Sequence, residues 1–409
     1  MAKLATSPQV ACLIPVLNKF VESFRSKRHV RKSYVYKDFR MKSVTLSLVA
    51  PIAVVAFAST QANAQGIQIG ATIETNYTAN FNRPSTGMNG ATGAPYYFNA
   101  KEGSTQLNLG ELHFYSDPSD KRKTGFSIRM VDGNVVAGLP LGLAGVNTTT
   151  SNVYEAYARI IAGGAKPVTI DAGIFPTHVG YETIPTGTSA FFTKAFQFGQ
   201  LQPFYHSGVR AQFAATPRAT AMLSLLNRYN GVESNGSRTP GLGLQWNQVL
   251  SSKDSVIFNF ARAKDTVAGA ERYKAITNFG YSRTLAPNLT LATDASIVSG
   301  VQAGSAGYKA GAITGYITYA IKSGDTISVR AEQLGDDTAG GLFIPSADPG
   351  TKPTLSSFTL TYEFKKGQTA ASRTMVELRH DKANSGVFST SSGTAKSSTT
   401  LTIGQVFSF

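Results

Sequence analysis

The sequence predicts an all-β fold: a transmembrane, antiparallel up-and-down β-barrel of about sixteen strands, with short turns at one end and long loops at the other. Three observations carry this. Apolar residues alternate with polar or small ones in segment after segment. The connections between those segments alternate in length. And the chain closes on "TTLTIGQVFSF" (Thr399–Phe409), where Leu401, Ile403, Phe407 and Phe409 keep a two-residue period to the last residue. Soluble domains usually end in a frayed polar tail.

Composition agrees. Charged residues are 15% of the 409, and Gly (39), Phe (24) and Tyr (17) are abundant. Few charges with many aromatics exclude a disordered chain. No run of 18 apolar residues occurs, which excludes a helical membrane protein.

The first 64 residues read as targeting rather than fold. Residues 1–40 hold nine Lys/Arg against two Asp/Glu and form a basic extension, with Met41 expected as the natural start. Residues 41–64 have the layout of a secretory signal: Lys42 is the positive region and Val44 to Ala58 the apolar one. Ala62-Asn63-Ala64 is then a small-x-small site that places cleavage between Ala64 and Gln65. The apolar run is too short to cross a bilayer. Removing residues 1–64 strips a net seven positive charges from 1–40 and one from Lys42, so the formal charge falls from +15 to +7. An exported chain does not keep its basic extension, so nucleic acid is not an expected partner. The single cysteine, Cys12, leaves as well, and no disulfide or thiol chemistry remains.

Over the remaining unit, 65–409, the strand pattern appears in order at Ile67/Ile69/Ala71/Ile73, Phe126/Ile128/Met130 and Tyr154/Ala156/Ala158/Ile160. It continues at Leu242/Leu244/Trp246, Val256/Phe258/Phe260, Leu289/Leu291 and Phe358/Leu360/Tyr362/Phe364, and then at Val376/Leu378 and the terminal segment. Short connections carry turn residues: "DPSDK", "GGAKP", "TPR", "SSKD", "LAPN", "KSGD" and "KKGQT". Longer ones are expected at 80–103, 133–152, 176–206, 230–240, 265–271, 300–306, 336–353 and 382–396. Seven short and eight long connections give sixteen strands, with both termini on the short side. That is the layout of an outer-membrane barrel, with its short turns in the periplasm and long loops outside. Closure is what hydrocarbon demands, because an open sheet edge would leave backbone groups unpaired. A propeller would show a blade repeat, and a sandwich does not explain alternating loop lengths.

The stretch "IDAGIFPTHVGYETIPTGTSAFFTKAFQFGQLQPFYHSGVRAQF" (Ile170 to Phe213) resembles the β-barrel porin family called porin-2, or OmpL-like. The matching features are Gly173-Ile174-Phe175, Gly180-Tyr181-Glu182 and a loop rich in Ser, Phe and Gly. Gln202-Pro203 and His206-Ser207-Gly208-Val209-Arg210 follow. The resemblance implies a pore in the bacterial outer membrane, with no catalytic residue and no cofactor. Resemblance to outer-membrane barrels further implies that Phe409 is read as an assembly signal by the insertion machinery.

In such a barrel inward residues set selectivity and outward ones meet lipid. Parity places Arg129, Arg159, Arg210, Arg228, Lys274, Arg330 and Arg379 inward, and also Glu74, Glu155, Asp171, Asp294, Glu332, Glu363 and Glu377. Seven of each sign give a balanced wall, so the basic composition does not by itself predict an anion channel. The expected pore wall is carried by Arg129, Glu155, Arg159, Arg228, Arg330, Glu332, Glu377 and Arg379. Basic turn residues such as Lys121, Arg122 and Lys123 would meet lipid headgroups. The long loop 176–206 carries three Pro, several Phe and only Glu182 and Lys194 as formal charges. It is the expected constriction, with His178, Glu182, Lys194, His206 and Arg210 near the narrowest point.

A catalytic reading has little support. "HDKANSG" (His380–Gly386) brings His, Asp and Ser together in sequence, but parity turns His380 to lipid and puts Ser385 in a loop. No metal-ligand spacing or phosphate loop occurs. Two classes remain: a channel for small hydrophilic solutes or ions, monomeric or homo-oligomeric, and a non-conducting structural or adhesive barrel that binds partners through its outer loops. Sixteen strands favour the channel, since barrels of that size enclose water.

Overall fold

The computed structural model describes residues 66–409, apart from 93, 139–151, 233–238, 268–269, 302–306, 323, 347, 349 and 366–370. The basic extension, the signal segment and its Ala64/Gln65 cleavage site lie outside the described residues.

Sixteen long strands follow one another in the described chain. The first four are β1 (Gln68–Asn80), β2 (Thr105–Ser116), β3 (Thr124–Asp132) and β4 (Val153–Ala162). Next come β5 (Val168–Pro176), β6 (Tyr205–Thr216), β7 (Ala219–Leu226) and β8 (Gly241–Val249). Then follow β9 (Asp254–Val267), β10 (Ala270–Ala286), β11 (Leu289–Val301) and β12 (Tyr308–Ala320). The last are β13 (Thr326–Asp336), β14 (Thr354–Phe364), β15 (Ser372–Ala383) and β16 (Ser397–Ser408). Each pairs antiparallel with its neighbours in sequence, and β1 pairs with β16 to close the barrel. The closing ladder runs from Thr72↔Ser408 to Asn80↔Thr400. Phe409 extends it: its N–H donates to the Ala71 carbonyl at 2.9 Å and its carbonyl accepts from Ala71 N–H at 3.2 Å. The terminal alternation is therefore the closing strand. Among the described residues no helix is long and apolar enough to cross a membrane.

The faces are inverted relative to a soluble protein. Leu223, Leu225, Leu242, Phe279, Ile297, Ile313 and Phe358 are exposed on the outside, whereas Asn, Thr, Ser, Glu and Arg side chains are buried inside. An outward apolar band with a polar interior is what a barrel in lipid requires.

The structure departs from the sequence reading in three places. Most of the expected loop 265–271 is strand, because β9 and β10 stay paired as far as Val267↔Ala270. Tyr154, taken as the first outward residue of its segment, is buried. A bulge opposite Arg129/Met130 inserts it into β4, and its hydroxyl donates to Glu111 at 2.6 Å. Arg228 is not on a strand: it lies beyond the end of β7, beside Gly231.

The resemblance motif has a backbone explanation. Gly173 and Gly208 face each other across β5 and β6 with φ of +137° and +146°. A Cβ at either would run into the carbonyl oxygen of Ala156 or Leu225 on the next strand. Only glycine holds that conformation without strain. It sits where both strands leave the barrel for the long connection between them.

Candidate functional site: the lumen and its folded loop

The connection from β5 to β6, residues 177–204, has almost no regular structure beyond a 3₁₀ turn (Thr186–Thr188) and a π turn (Gln197–Leu201). A chain without its own ladder must pair its amides elsewhere when it is buried. Here the barrel wall supplies the partners. Glu74 on β1 accepts from the Thr186 N–H and from its hydroxyl at 2.9 Å. Glu377 on β15 accepts from the N–H groups of Phe192 (2.9 Å) and Thr193 (3.1 Å). Glu332 on β13 accepts from those of Phe196 (2.9 Å) and Gln197. Asp294 on β11 accepts from Tyr181 N–H at 3.1 Å and the Gln202 amide at 2.9 Å.

Arginines do the converse. Arg330 on β13 donates to Glu182 at 2.8 Å and to the Thr193 carbonyl at 2.6 Å. Arg379 on β15 donates to the Lys194 carbonyl at 2.7 Å, and Arg373 to those of Thr186, Gly187 and Ser189 at 2.7–2.9 Å. Charge-assisted bonds of this kind are stronger than neutral ones. The segment is thus held inside the barrel against β11–β16 and β1.

Aromatic packing completes the seat. Phe192 lies against Met375 and Val406, over Gly404, where any Cβ would meet its ring. The Arg379 guanidinium is 4.0 Å from the Tyr96 ring and 4.5 Å from that of Phe196. Tyr96 belongs to the β1–β2 connection, and its hydroxyl donates to Asp381. That connection also joins the β15–β16 connection in a small four-stranded sheet of Gly90–Ala91, Ala94–Pro95, Phe388–Ser389 and Thr394–Ala395. Lys194 is buried near Glu74, Glu182 and Glu377. Burial pushes its ammonium below the ordinary lysine range, and the nearby carboxylates oppose the shift.

On the opposite wall, β2 to β6, the segment's Ile184, Ala195, Phe198 and Phe204 pack against Leu109, Val131 and Tyr154 of β2–β4, while the ion pairs of Arg129, Arg159 and Arg210 keep part-exposed guanidiniums. Arg129 bridges Glu111 (2.8 Å) and its cross-strand neighbour Glu155 (3.0 Å). Asp171 bridges Arg159 (2.6 Å) and Arg210 (2.9 Å), its neighbours on either side. Tyr157 sits near both guanidiniums, and Phe175 stacks under Arg210 at 4.5 Å. Beside them opens a recess of about 360 Å³ lined by His113, Tyr115, Ser127, Arg129, Tyr157 and Arg159.

The five residues expected together at a constriction fall into three groups. Glu182 and Lys194 lie in the folded segment, with Arg330 beside Glu182. His178 and His206 pair with ring centroids 5.5 Å apart, and burial lowers His178 to about 4. Arg210 belongs to the β2–β6 wall. Of the expected wall residues, Arg330, Glu332, Glu377 and Arg379 anchor the segment, and Arg129, Glu155 and Arg159 line or abut the recess. Parity missed Glu111, Asp381 and Arg373. Glu111 alternates with Leu112 and Phe114, and Asp381 lies two residues after Arg379, so both had a readable signal. Among the described residues no group of three or more His, Cys, Asp or Glu is placed to hold a metal.

A closed sixteen-strand barrel with an apolar exterior and a charged interior defines a channel-type protein of the bacterial outer membrane. Residues 66–409 match the family profile described as "Putative beta-barrel porin-2, OmpL-like", and the chain belongs to that family. Solved structures with the same fold include an anion-selective porin from Comamonas acidovorans. It is 11% identical with a TM-score of 0.57, and the match covers 84% of this chain and 99% of that one. OprB of Pseudomonas putida is 10% identical with a TM-score of 0.55, covering 87% and 97%. The outer membrane channel DcaP of Acinetobacter baumannii is 11% identical with a TM-score of 0.53, covering 84% and 97%. No curated protein sequence matches the chain.

Proposed function

We propose that the protein is a passive diffusion channel for small hydrophilic solutes, narrowed by the segment 177–204. One observation carries this reading: the segment's amides are bonded to inward carboxylates of β1, β11, β13 and β15, while the β2–β6 side keeps an open recess. A seated segment of this kind divides the lumen into a filled half and a conducting half. Neutral solutes pass by size, and charged ones feel the residues of the open half. The chemistry requires no bond to be made or broken, in keeping with a channel rather than an enzyme.

The test is reconstitution. Proteoliposomes containing the folded barrel should admit small sugars, and deletion of residues 184–198 should raise single-channel conductance severalfold. Folded protein that admits nothing would instead favour the adhesive barrel, and an unchanged conductance after the deletion would remove the segment's role.

A further inference from the structure

Counted by sign, the ion pairs of the lumen balance; by exposure to water they do not. In the pairs of Arg129, Arg159, Arg210 and Arg373, the arginine side chain is 17–27% exposed and its carboxylate partner 3–5%. Two further pairs, Arg330–Glu182 and Arg379–Asp381, are buried on both sides. Arg373 spends its terminal nitrogens on the folded segment, whereas the pairs of Arg129, Arg159 and Arg210 turn the cation to the lumen and the anion into the wall. Such pairs are dipoles with their positive ends in water, and a narrow water-filled space between low-dielectric walls focuses their field.

The arginines also have donors to spare. Arg129 uses Nη1 and Nε on Glu111 and Glu155; Arg159 uses Nε and Nη2 on Asp171 and Tyr157; Arg210 uses Nε and Nη1 on Asp171 and the Pro176 carbonyl. Among the described residues one terminal nitrogen of each is left without a protein acceptor. Tyr157 holds the Arg159 guanidinium, and Tyr157 and Phe175 that of Arg210, while Arg129 is held by its two carboxylates, so the donors are placed before a ligand arrives. One exposed carboxylate, Asp117, lies at the edge of the recess, on the β2–β3 turn.

We propose that the open half of the lumen is an anion path, and that Arg129, Arg159 and Arg210 form a subsite in it for small oxyanions, carboxylate or phosphate. This rests on the channel reading and names the solute class that the channel prefers. The one spare terminal nitrogen of each arginine can give a charge-assisted bond to a different oxygen of a carboxylate or phosphate, an arrangement that the single acceptor atom of chloride does not match.

The test uses the folded, membrane-inserted protein. In a potassium chloride gradient the reversal potential should show chloride permeating at least about threefold better than potassium. Pyrophosphate should block the chloride current. Arg159→Gln and Arg210→Gln should each weaken that block about tenfold, the loss of one charged hydrogen bond, whereas Arg159→Lys should keep the chloride preference. A calorimetric titration of pyrophosphate into detergent-folded protein reads the subsite without any conduction. Potassium preference, absence of selectivity, or pyrophosphate binding equal in wild type and both Gln variants would overturn the inference while leaving a channel in place. Absence of all conductance and sugar uptake would sink the channel reading instead, and the calorimetric arm would then decide the subsite alone.

Discussion

The two halves of the lumen are built from the same residues and use them differently. On β11–β16 and β1, Glu74, Asp294, Glu332 and Glu377 accept hydrogen bonds from the folded segment, and Arg330, Arg373 and Arg379 donate to it. On β2–β6, Glu111, Glu155 and Asp171 pair with arginines whose guanidiniums are part-exposed, and Glu111 and Glu155 also accept from the hydroxyls of Tyr154 and Ser127 on the same wall. A charged residue on a barrel wall is therefore not a pore charge by virtue of pointing inward. It becomes one only where nothing folded lies across it.

The largest effect should come from breaking an ion pair under the segment. Arg330 is fully buried, and Arg330→Met strips Glu182 of its cation and the Thr193 carbonyl of its donor. Loss of one partner from a buried pair costs up to about 3–5 kcal/mol, and the Lys194 ammonium near Glu182 offsets part of it. The thermal midpoint of the detergent-folded barrel should fall accordingly, and hydrogen exchange should rise across 190–200. Adding Glu182→Gln removes the stranded charge, so the double variant should recover part of the loss. A single variant as stable as wild type would mean that the segment is not held by these bonds.

An intermediate effect lies where the two halves meet. His178 donates its Nε2–H to the Phe260 carbonyl at 2.9 Å and is neutral, since burial lowers it from about 6.5 to about 4. The groups that face it are His206 and, at longer range, Arg210. Its folded value is depressed, so the released segment binds a proton that the seated one excludes. The stabilisation is complete above pH 6.5 and declines as pH falls towards 4, by up to about 1.4 kcal/mol per pH unit. Exchange of the amides of 177–204, corrected for the intrinsic pH dependence, should therefore increase between pH 7 and pH 4.5. His178→Phe should reduce that dependence, with the buried His206 beside it accounting for what is left; an unchanged slope in the variant would assign it to other groups.

The barrel was legible because closure in lipid imposes local signs: a two-residue period on each strand, turn residues at one end and a paired last strand. Even so, a bulge hid Tyr154, whose inward turn depends on its register against Arg129 and Met130 rather than on its own neighbours. The division of the lumen was not legible. Glu377 meets Thr193 across 184 residues of sequence and Glu74 meets Thr186 across 112, so no local pattern distinguishes an anchor from a pore charge. Seven acids against seven bases omitted Glu111, Asp381 and Arg373, and a count by sign carries no information on exposure, which is set by what covers each side chain. The aromatic density of "SAFFTKAFQFGQ" was the one sequence sign that this segment is buried rather than displayed.

The smallest effect on stability, and the sharpest separation of the halves, should come from Asp171→Asn. Its chemistry parallels Glu377→Gln, a buried carboxylate made neutral, but the partners differ. Asp171 holds two guanidiniums that already touch water, and both rehydrate when it loses its charge. Because the cations already reach water, breaking these pairs costs less than breaking a pair buried on both sides, so the thermal midpoint should move less than with Glu377→Gln. Selectivity should move instead, because the change removes a negative charge behind the open wall and strengthens its positive face. Glu377→Gln should do the reverse, since the Phe192 and Thr193 amides lose a charged acceptor while the open half is untouched. Measured side by side, reversal potential should respond to Asp171→Asn alone and thermal midpoint chiefly to Glu377→Gln. Two variants with the same pair of responses would mean that the lumen is not divided.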